Sequence, residues 1–370
     1  MTRPCHLLSM LILAFAALPA LGQAPTPPLC FHLGFEGTTQ AVAAGNPTPV
    51  QIEGPVEYRP GKLGQALLCG EGGALLHYAT EANLHRTGGT VEMWVCPLDW
   101  TGEEDEFHVF LEAQTPGWLV FYRYYQGGIL TLLGTGEGSG SYRTAGGPRI
   151  QWVPGEWHHI AGTWRKSGLE VYVDGERTGF SIDPPMPADL AKSFRIGDHP
   201  WHVERTRQTL IDEVKLYSAP LDAESIARAA RGEAVDFHPQ LALQLDPDPD
   251  TQMLQVSADA AGLLGPLGGR RVRVELRPEG GAEPIATAEI DTFTDDVGAT
   301  RMPLAGVAEG EYQLRGVLVG ADGATIAETS TRFVKPGPPV WSGNTLGMEE
   351  KVLPPWTALK VDRERSSVEC

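Results

Sequence analysis

A tight turn between two alternating segments constrains the fold of this chain more than any other feature. Leu169–Val173 alternates large apolar residues with others, and Asp174-Gly175 follows it directly. Asp and Gly suit a two-residue hairpin turn, because both central residues of such a turn take positive φ angles. Just upstream, Gly155–Trp164 is predicted to be another strand. Together these features predict neighbouring antiparallel strands.

Further predicted strands and one helix complete the N-terminal region. Leu29–Phe35 and Thr90–Val95 show the period-two alternation of half-buried strands. Arg59–Leu67 is expected to be a turn that leads into a strand, and Trp118–Tyr125 and Ile129–Leu133 to form a hairpin. Two more strands are expected at Phe194–Gly197 and Leu210–Tyr217. The chain's 44 Gly and 30 Pro supply the turns that so many strands require. A short amphipathic helix is predicted at Leu221–Arg231, with Asp222 or the residue before it as the N-cap and Gly232 as its stop.

A second run of short strands begins near residue 239. Its members are predicted at Leu241–Leu245, Met253–Ser257, Arg271–Leu276, Ile285–Ile290, Tyr312–Val319 and Ala324–Val334. This spacing is typical of an immunoglobulin- or fibronectin-type sandwich, although no Cys…Trp…Cys pattern supports a true immunoglobulin domain. We therefore assign residues 239–335 to a smaller β-sandwich. Residues 336–370 are expected to form an extended tail, the truncated start of a further domain.

The first residues have the pattern of a secretory signal peptide. Arg3 precedes the apolar run Leu7–Leu18, and Ala20-Leu21-Gly22 offers small residues at the cleavage positions. Residues 1–22 are therefore predicted to be removed and residues 23–28 to form a linker, which predicts a secreted, periplasmic or cell-surface protein. The apolar run is shorter than the ~20 residues of a membrane helix, so no membrane span is expected after cleavage.

The charge of the chain argues against two classes of partner. The formal net charge is −18 at pH 7. Such a chain repels phosphate backbones and anionic lipid, so we expect no nucleic-acid partner and no binding to membrane surfaces.

Seven short segments between residues 29 and 233 occur in a distinctive order. They are Leu33–Thr38, Pro60–Leu67, Gly89–Val95, Glu156–Trp164, Val171–Gly175, Ile196-Gly197 and Ile211–Tyr217. In this ordered set, residues 29–233 resemble the laminin-G-like (concanavalin A-like) jelly-roll domain of exported bacterial proteins. The resemblance implies an all-β chain, in which a concanavalin A-like jelly-roll sandwich precedes the smaller sandwich. The tail segments Trp341–Gly347 and Lys351–Trp356 are similar to a linker in large uncharacterised glycoside-hydrolase-like proteins, where a catalytic domain follows.

The resemblance also implies a metal site. The family often binds calcium between the first strand and the returning last strand, and the matching positions here are Glu36 and Asp212. Calcium takes carboxylate and carbonyl oxygens as ligands. The alternative is that Asp212 caps backbone amides at the edge of the sandwich.

Aromatic residues are the candidates for ligand binding. Flat rings pack against the apolar faces of sugars, and Trp118, Tyr122, Tyr124 and Trp201 are the candidates in this chain. Alternation predicts Tyr122 and Tyr124 on one face of a strand and Tyr125 on the other. The alternative is that these rings fill the core between two sheets.

We find no motif that indicates catalysis. The chain lacks the paired carboxylates on one strand that related jelly-roll glycosidases carry. His158 and His159 are adjacent on a predicted strand and point to opposite faces, so we interpret both as structural. Cys30, Cys69, Cys96 and Cys370 have no metal-binding spacing, and their pairing or freedom is left open.

These observations favour an exported, non-catalytic protein that binds polysaccharides or the glycans of glycoproteins. Two alternatives remain. The first is an N-terminal accessory fragment of a glycoside hydrolase that lacks its catalytic domain. The second is a structural module for protein interaction at the cell surface.

Overall fold

The fold is taken from a computed structural model. It describes the following residues: 28–136, 141–199, 207–238, 240–249, 251–263, 269–281, 283–337, 352, 359–362, 364 and 367–369. The predicted signal peptide and Trp201 lie outside the described residues. Within the part that is described, no helix has the length and apolar character needed to cross a membrane.

Sixteen strands of the described residues form the first sandwich. In chain order they are β1 (Leu29–Leu33), β2 (Val42–Ala43), β3 (Gln51–Glu53), β4 (Tyr58–Pro60), β5 (Gln65–Gly70), β6 (Leu75–Ala79), β7 (Gly88–Pro97), β8 (His108–Ala113), β9 (Trp118–Arg123), β10 (Ile129–Gly134), β11 (Tyr142–Gly146), β12 (His158–Arg165), β13 (Gly168–Val173), β14 (Glu176–Ile182), β15 (Ser193–His199) and β16 (Gln208–Tyr217).

These strands pair into two antiparallel sheets. The first sheet has the order β14-β13-β12-β7-β16-β1-β2, and β5 adds to β16 and carries β4. The second sheet has the order β11-β10-β9-β8-β15-β6-β3. Neighbours in both sheets are often far apart in sequence, as expected of a jelly roll. The predicted jelly-roll sandwich is therefore confirmed.

The core lies between the two sheets. Val91, Met93 and Val95 of β7 pack there, as their alternation predicts, against residues such as Phe110 and Phe121 of the second sheet. The outer face of each sheet therefore carries the alternate residues of the same strands.

The Asp-Gly turn that anchored the sequence analysis forms as predicted. Strand β13 ends at Val173 and β14 begins at Glu176. Between them, Asp174 has a φ angle of 50° and Gly175 one of 83°. Both values lie in the left-handed region that a type I′ turn requires.

Helix α1 (Ala223–Ala230) packs on the outer face of the first sheet. Its N-cap is Asp222, whose side chain accepts a hydrogen bond of 2.7 Å from the Ser225 amide. Ile226 of the helix is buried with Tyr172 and Tyr217 of the sheet. The cap confirms the predicted start of the helix and covers part of this face.

A second sandwich follows. In chain order its strands are β17 (Gln240–Asp248), β18 (Met253–Gly262), β19 (Arg271–Pro278), β20 (Ala286–Ile290), β21 (Val297–Pro303), β22 (Gly310–Val319) and β23 (Thr325–Lys335). One sheet has the order β17-β18-β21 and the other β20-β19-β22-β23, a division typical of fibronectin-type sandwiches. The sequence analysis missed β21, because only Gly298 and Met302 of its seven residues are buried and no apolar alternation marks it. In the tail, β24 (Lys360–Asp362) pairs with β25 (Ser367–Glu369).

Candidate functional site

The outer face of the second sheet collects most of the predicted ligand-binding residues. Leu119 and Phe121 of β9 point into the core, so Trp118, Val120 and Tyr122 point outward. A small apolar cluster forms there around Tyr122, with Trp118 half-buried at its margin. Tyr124 packs against the same cluster, so three of the four candidates lie on one surface.

Trp118 and Tyr142 form a partly accessible ring pair on this face. Both residues lie opposite Gly134 in the strand register, Trp118 on β9 and Tyr142 on β11. A Cβ atom on Gly134 would lie 2.7 Å from the Cβ of Tyr142, so glycine is needed for the close approach. The two ring centroids are 5.9 Å apart with an angle of 43° between the planes, and Tyr142 is 40% exposed.

A second group of rings surrounds Phe107, the residue just before β8. Its ring centroid lies 6.3 Å from that of Tyr122, 5.6 Å from that of Tyr124 and 5.0 Å from that of Tyr125. The prediction that Tyr125 faces the other side is wrong. Strand β9 ends at Arg123, so strand alternation does not continue into the turn that carries Tyr124 and Tyr125.

Tyr122 supports this group rather than exposing a ring. Only 3% of Tyr122 is exposed, and burial raises the pKa of its hydroxyl. Tyr124 and Phe107 are half-buried. Of the predicted ligand-binding residues, Trp118 and Tyr124 are therefore the ones that the structure leaves partly accessible, and Trp201 lies outside the described residues.

A buried arginine forms hydrogen bonds with the backbone of the loop before Phe107. Arg123 has 0% exposure, and its Nη1 atom donates to the carbonyl oxygens of Glu104 and Glu106, each at 2.7 Å. Its Nη2 atom donates to the carbonyl oxygen of Gly102. Burial lowers the pKa of Arg123. Three carbonyl acceptors thus fix the loop that positions Phe107.

The Glu104 side chain also stabilises this loop, through hydrogen bonds to backbone amides. Its carboxylate accepts hydrogen bonds from the backbone amides of Thr101 at 3.0 Å and Gly102 at 2.9 Å. Burial would raise the pKa of Glu104, but these amides and the Thr101 hydroxyl outweigh burial and lower the pKa to about 2. The charged run at 103–106 is therefore a structured loop and not merely a solvated one.

A buried polar cluster, formed by Glu112, Arg195 and His199, lies beside the rings on the same face. Arg195 donates to the Oε2 atom of Glu112, and the Nε2 atom of His199 lies 2.7 Å from that atom. The Glu112 side chain is 1% exposed, whereas that of Arg195 is 34% exposed. The sequence analysis missed this cluster, because Glu112 and Arg195 come from strands 83 residues apart.

The predicted metal ligands meet at the turn between residues 61 and 65. Asp212 accepts a hydrogen bond of 2.9 Å from the Leu63 amide and one of 2.8 Å from the Glu213 amide. Glu36 accepts one of 3.2 Å from the Gln65 amide. The structure thus brings the two predicted carboxylates to one turn, and Asp212 caps backbone amides as the alternative interpretation expected.

The chemistry of these two carboxylates fits a hard cation in part. Asp212 is fully buried, and burial raises its pKa to about 6 despite the amide donors. Carboxylate oxygens are what calcium prefers. Within the described residues, however, no group of three or more His, Cys, Asp or Glu side chains could hold a metal. Glu36 and Asp212 are the side chains that would hold calcium at this turn, and calcium stays a prediction.

The two adjacent histidines lie in separate surroundings. His158 stacks on Trp152 with centroids 4.3 Å apart, and its Nδ1 atom lies 2.8 Å from Asp174. His159 is buried, with its Nε2 atom 3.6 Å from Glu92. These contacts agree with the structural interpretation of both residues. Among the described cysteines, Cys30, Cys69 and Cys96 are buried free thiols.

The first sandwich has the two-sheet architecture of a jelly roll, with a cluster of aromatic rings on the outer face of its second sheet. Residues 70–227 match the Laminin_G_3 family, described as the concanavalin A-like lectin/glucanases superfamily. This match confirms the family resemblance of the N-terminal region. No curated protein matches the sequence.

Solved structures with a similar fold share little sequence with this chain. Domain 4 of AbnA, a GH43 extracellular arabinanase from Geobacillus stearothermophilus solved with arabinotriose, is 18% identical. Its alignment covers 56% of this chain and 100% of that domain, with a TM-score of 0.45. The binding domain of botulinum neurotoxin DC, solved with rat synaptotagmin II, is 10% identical, with 82% of this chain and 73% of that chain covered and a TM-score of 0.46. At this level of similarity, neither structure indicates a ligand for this chain.

Proposed function

We propose that this chain is an exported, non-catalytic carbohydrate-binding protein whose ligand lies on the outer face of the second sheet. The observation that carries the proposal is the Trp118–Tyr142 pair, two partly accessible rings 5.9 Å apart at the margin of that face. Aromatic faces pack against the C–H faces of sugar rings and exclude water from them. Polar groups beside the rings then select hydroxyl positions.

The face also offers the polar part of such a site. The Arg195 side chain is 34% exposed, and its guanidinium is oriented by the Glu112 carboxylate, whose side chain is 1% exposed. A donor fixed in this way loses little conformational entropy when it binds a hydroxyl. Rigid rings and one oriented donor on a sheet are the features that a carbohydrate-binding surface needs.

The spacing of Glu112 and Glu53, two carboxylates on described strands of this sheet, supports a non-catalytic role. Glu112 lies on β8 and Glu53 on β3, three strands away in the order β8-β15-β6-β3. At ~4.8 Å between neighbouring strands, their backbones are about 14 Å apart. Hydrolysis of a glycosidic bond needs two carboxyl groups about 5–9.5 Å apart. Both carboxylates are also bonded to basic side chains, Glu112 to Arg195 and Glu53 to His77.

Affinity electrophoresis of the full chain tests the proposal. Native gels would contain arabinan, xylan, mixed-linkage β-glucan, laminarin or polygalacturonate, and at least one is expected to retard the protein. Trp118→Ala and Tyr142→Ala are each expected to weaken that retardation about ten-fold, since a lost ring contact costs roughly 1.4 kcal/mol.

A matched control is Phe180→Ala. Phe180 is 67% exposed on β14, at the edge of the other sheet, so its loss should leave retardation unchanged. The proposal fails if no polysaccharide retards the wild type, or if the three variants behave alike. If the purified chain hydrolysed a polysaccharide that retards it, the non-catalytic part of the proposal would be contradicted.

A further inference from the structure

A cavity of about 120 Å³ lies where the two sandwiches meet. Thr163 of β12 and Phe180 and Ile182 of β14 line it from the first sheet. Gln240, the first residue of β17, lines it from the second sandwich, and Leu221 lines it from the segment just before helix α1. Clefts between domains are preferred sites for small ligands. The cavity is therefore a candidate site that is separate from the aromatic rings of the second sheet.

Close contacts between the two sandwiches fix the surroundings of this cavity. Asp259 of β18 accepts a hydrogen bond of 2.6 Å from the backbone amide of Ser167, another residue that lines the cavity. A Cβ atom on Gly88 would lie 2.7 Å from the Cβ atom of Ala261, so a glycine is needed where β7 and β18 approach each other. Because both contacts join the two sandwiches, the cavity is formed before any ligand binds.

Arg165 lines the cavity and has a hydrogen-bond donor without a partner. It lies two residues after Thr163 on β12, so both side chains project from the same face of the sheet. The Nη1 atom of Arg165 is buried, and it has no hydrogen-bond partner among the described residues. Its neighbour Lys166, in contrast, is paired with Asp183. A buried donor that lacks an acceptor is costly, so Arg165 marks a place where a ligand can supply one.

The charge of Arg165 is not balanced by the other charged residue that lines the described cavity. That residue is Glu170, whose Oε1 atom accepts a hydrogen bond of 2.7 Å from Arg177 and whose Oε2 atom accepts one from the Tyr172 hydroxyl. In the part of the chain that the structure describes, no carboxylate forms an ion pair with Arg165. One unpaired guanidinium beside a paired carboxylate favours an anionic ligand.

The apolar side chains of the cavity favour one class of anion. Phe180 is 67% exposed and Ile182 is 69% exposed, so both are available to an apolar group of a ligand. A guanidinium binds a planar carboxylate through two parallel hydrogen bonds, whereas phosphate and sulfate have no apolar part to pack against these side chains. The volume of the cavity is below the ~300–1,000 Å³ of pockets for drug-sized molecules. Size and chemistry together favour a short-chain carboxylate.

We propose that this cavity binds a small carboxylate with a short apolar chain. The carboxylate oxygens accept hydrogen bonds from Arg165, and the apolar chain packs against Phe180 and Ile182. The proposed site does not depend on carbohydrate binding, because it lies on the first sheet and the candidate rings lie on the second.

Saturation-transfer NMR with the full chain tests the inference. The probes are acetate, propionate and butyrate, with butyramide as the uncharged analogue of butyrate. Affinity is expected to rise about three- to four-fold with each methylene group from acetate to butyrate. Butyrate is expected to bind at least about ten-fold more tightly than butyramide, since only the carboxylate forms charge-assisted hydrogen bonds with Arg165.

Two substitutions separate the polar part of the site from its apolar part. Arg165→Gln should weaken butyrate binding about ten-fold and leave the weak binding of butyramide unchanged. Arg165→Lys keeps the charge but not the planar pair of donors, so it should bind butyrate with intermediate affinity. Ile182→Ser should weaken the binding of butyrate more than that of acetate, because it removes apolar contact and no charge.

The matched control is Arg332→Gln. The Arg332 side chain is 67% exposed on β23 and does not line the cavity, so this variant should bind every probe as the wild type does. Because the Nη1 atom of Arg165 has no partner, Arg165→Gln should unfold at the same urea concentration as the wild type, and its lost binding then reports on the site.

Three results would overturn the inference. The first is that no carboxylate binds, or that butyramide binds as tightly as butyrate. The second is that Arg165→Gln binds butyrate with the affinity of the wild type. The third is that inorganic phosphate displaces butyrate at lower concentrations than acetate does, which would mean that the site takes tetrahedral anions. Retardation by polysaccharides is a separate measurement, so either proposal can fail alone.

Discussion

The Nε2 atom of His199 lies 2.7 Å from the Oε2 atom of Glu112, on neighbouring strands of the second sheet. The same oxygen accepts a hydrogen bond from Arg195. One buried carboxylate therefore joins two basic side chains on the outer face, where most polar groups would be hydrated. Removing the charge of a buried, paired carboxylate lowers the free energy of unfolding more than removing the charge of an exposed carboxylate.

Glu112→Gln is accordingly expected to destabilise the protein. The substitution keeps the shape of the side chain but leaves Arg195 and His199 without their carboxylate, and we expect a loss of about 2–4 kcal/mol in the free energy of unfolding. Urea denaturation followed by circular dichroism measures it. Glu57→Gln is the control, because Glu57 is 50% exposed and pairs with an exposed arginine, a contact worth less than about 1 kcal/mol. Equal losses in the two variants would contradict the prediction.

Glu104→Gln is expected to give a loss of stability that depends on pH. The pKa of Glu104 is lowered to about 2, below the unfolded value, so its contribution is complete above that unfolded value and is lost as pH falls through the folded one. After allowance for partial exposure we expect a difference of about 1–2 kcal/mol at neutral pH. The difference should shrink from about pH 4.5 downward.

Urea midpoints of wild type and Glu104→Gln across this pH range check the prediction. Glu103→Gln is the matched control, since Glu103 is the exposed neighbour in the same loop. A difference between wild type and Glu104→Gln that stayed constant into acid would show that the carboxylate charge is not its cause.

Arg123→Met should loosen the loop that carries Phe107. Methionine can fill the space of the arginine stem but donates none of the three hydrogen bonds to the loop carbonyls. We expect a loss of about 3–5 kcal/mol. A glutamate-specific protease should cleave the loop faster, because the loop contains glutamates at 103, 104 and 106. Arg143→Met, at an exposed position on β11, should change neither measurement.

Calcium is expected to raise the melting temperature of the wild type, and EDTA to reverse the effect. Asp212→Ala and Glu36→Gln should abolish the response, because these are the side chains that would hold the ion. Asp183→Ala alters an exposed ion pair with Lys166 and serves as the control. Identical melting curves for the wild type with calcium and with EDTA would leave Asp212 as a cap of backbone amides only.

Local sequence features predicted most of the architecture. The Asp174-Gly175 turn, the N-cap at Asp222 and the alternation of β7 all act over a few residues, and the structure has each of them. The alternation failed at Tyr125, because a strand pattern does not show where the strand ends. It also failed for β21, whose faces are mostly exposed.

The polar part of the candidate site could not be predicted in the same way. His199 lies beyond the predicted strand Phe194–Gly197, whereas β15 continues to His199. Glu112 meets Arg195 only because β8 and β15 pair across a long stretch of chain. Such pairings depend on sheet order, which alternation within single strands does not determine.

The candidate site draws its members from distant parts of the chain. Trp118 lies on β9 and Tyr142 on β11, whereas Arg195 lies on β15, the last strand of the second sheet to be synthesised, between β8 and β6. No short segment of the chain therefore contains the site, and it is complete only after β15 has paired on both sides. Ligand capture would then serve as a test of correct folding, since a product truncated before β15 would keep both rings but lose Arg195.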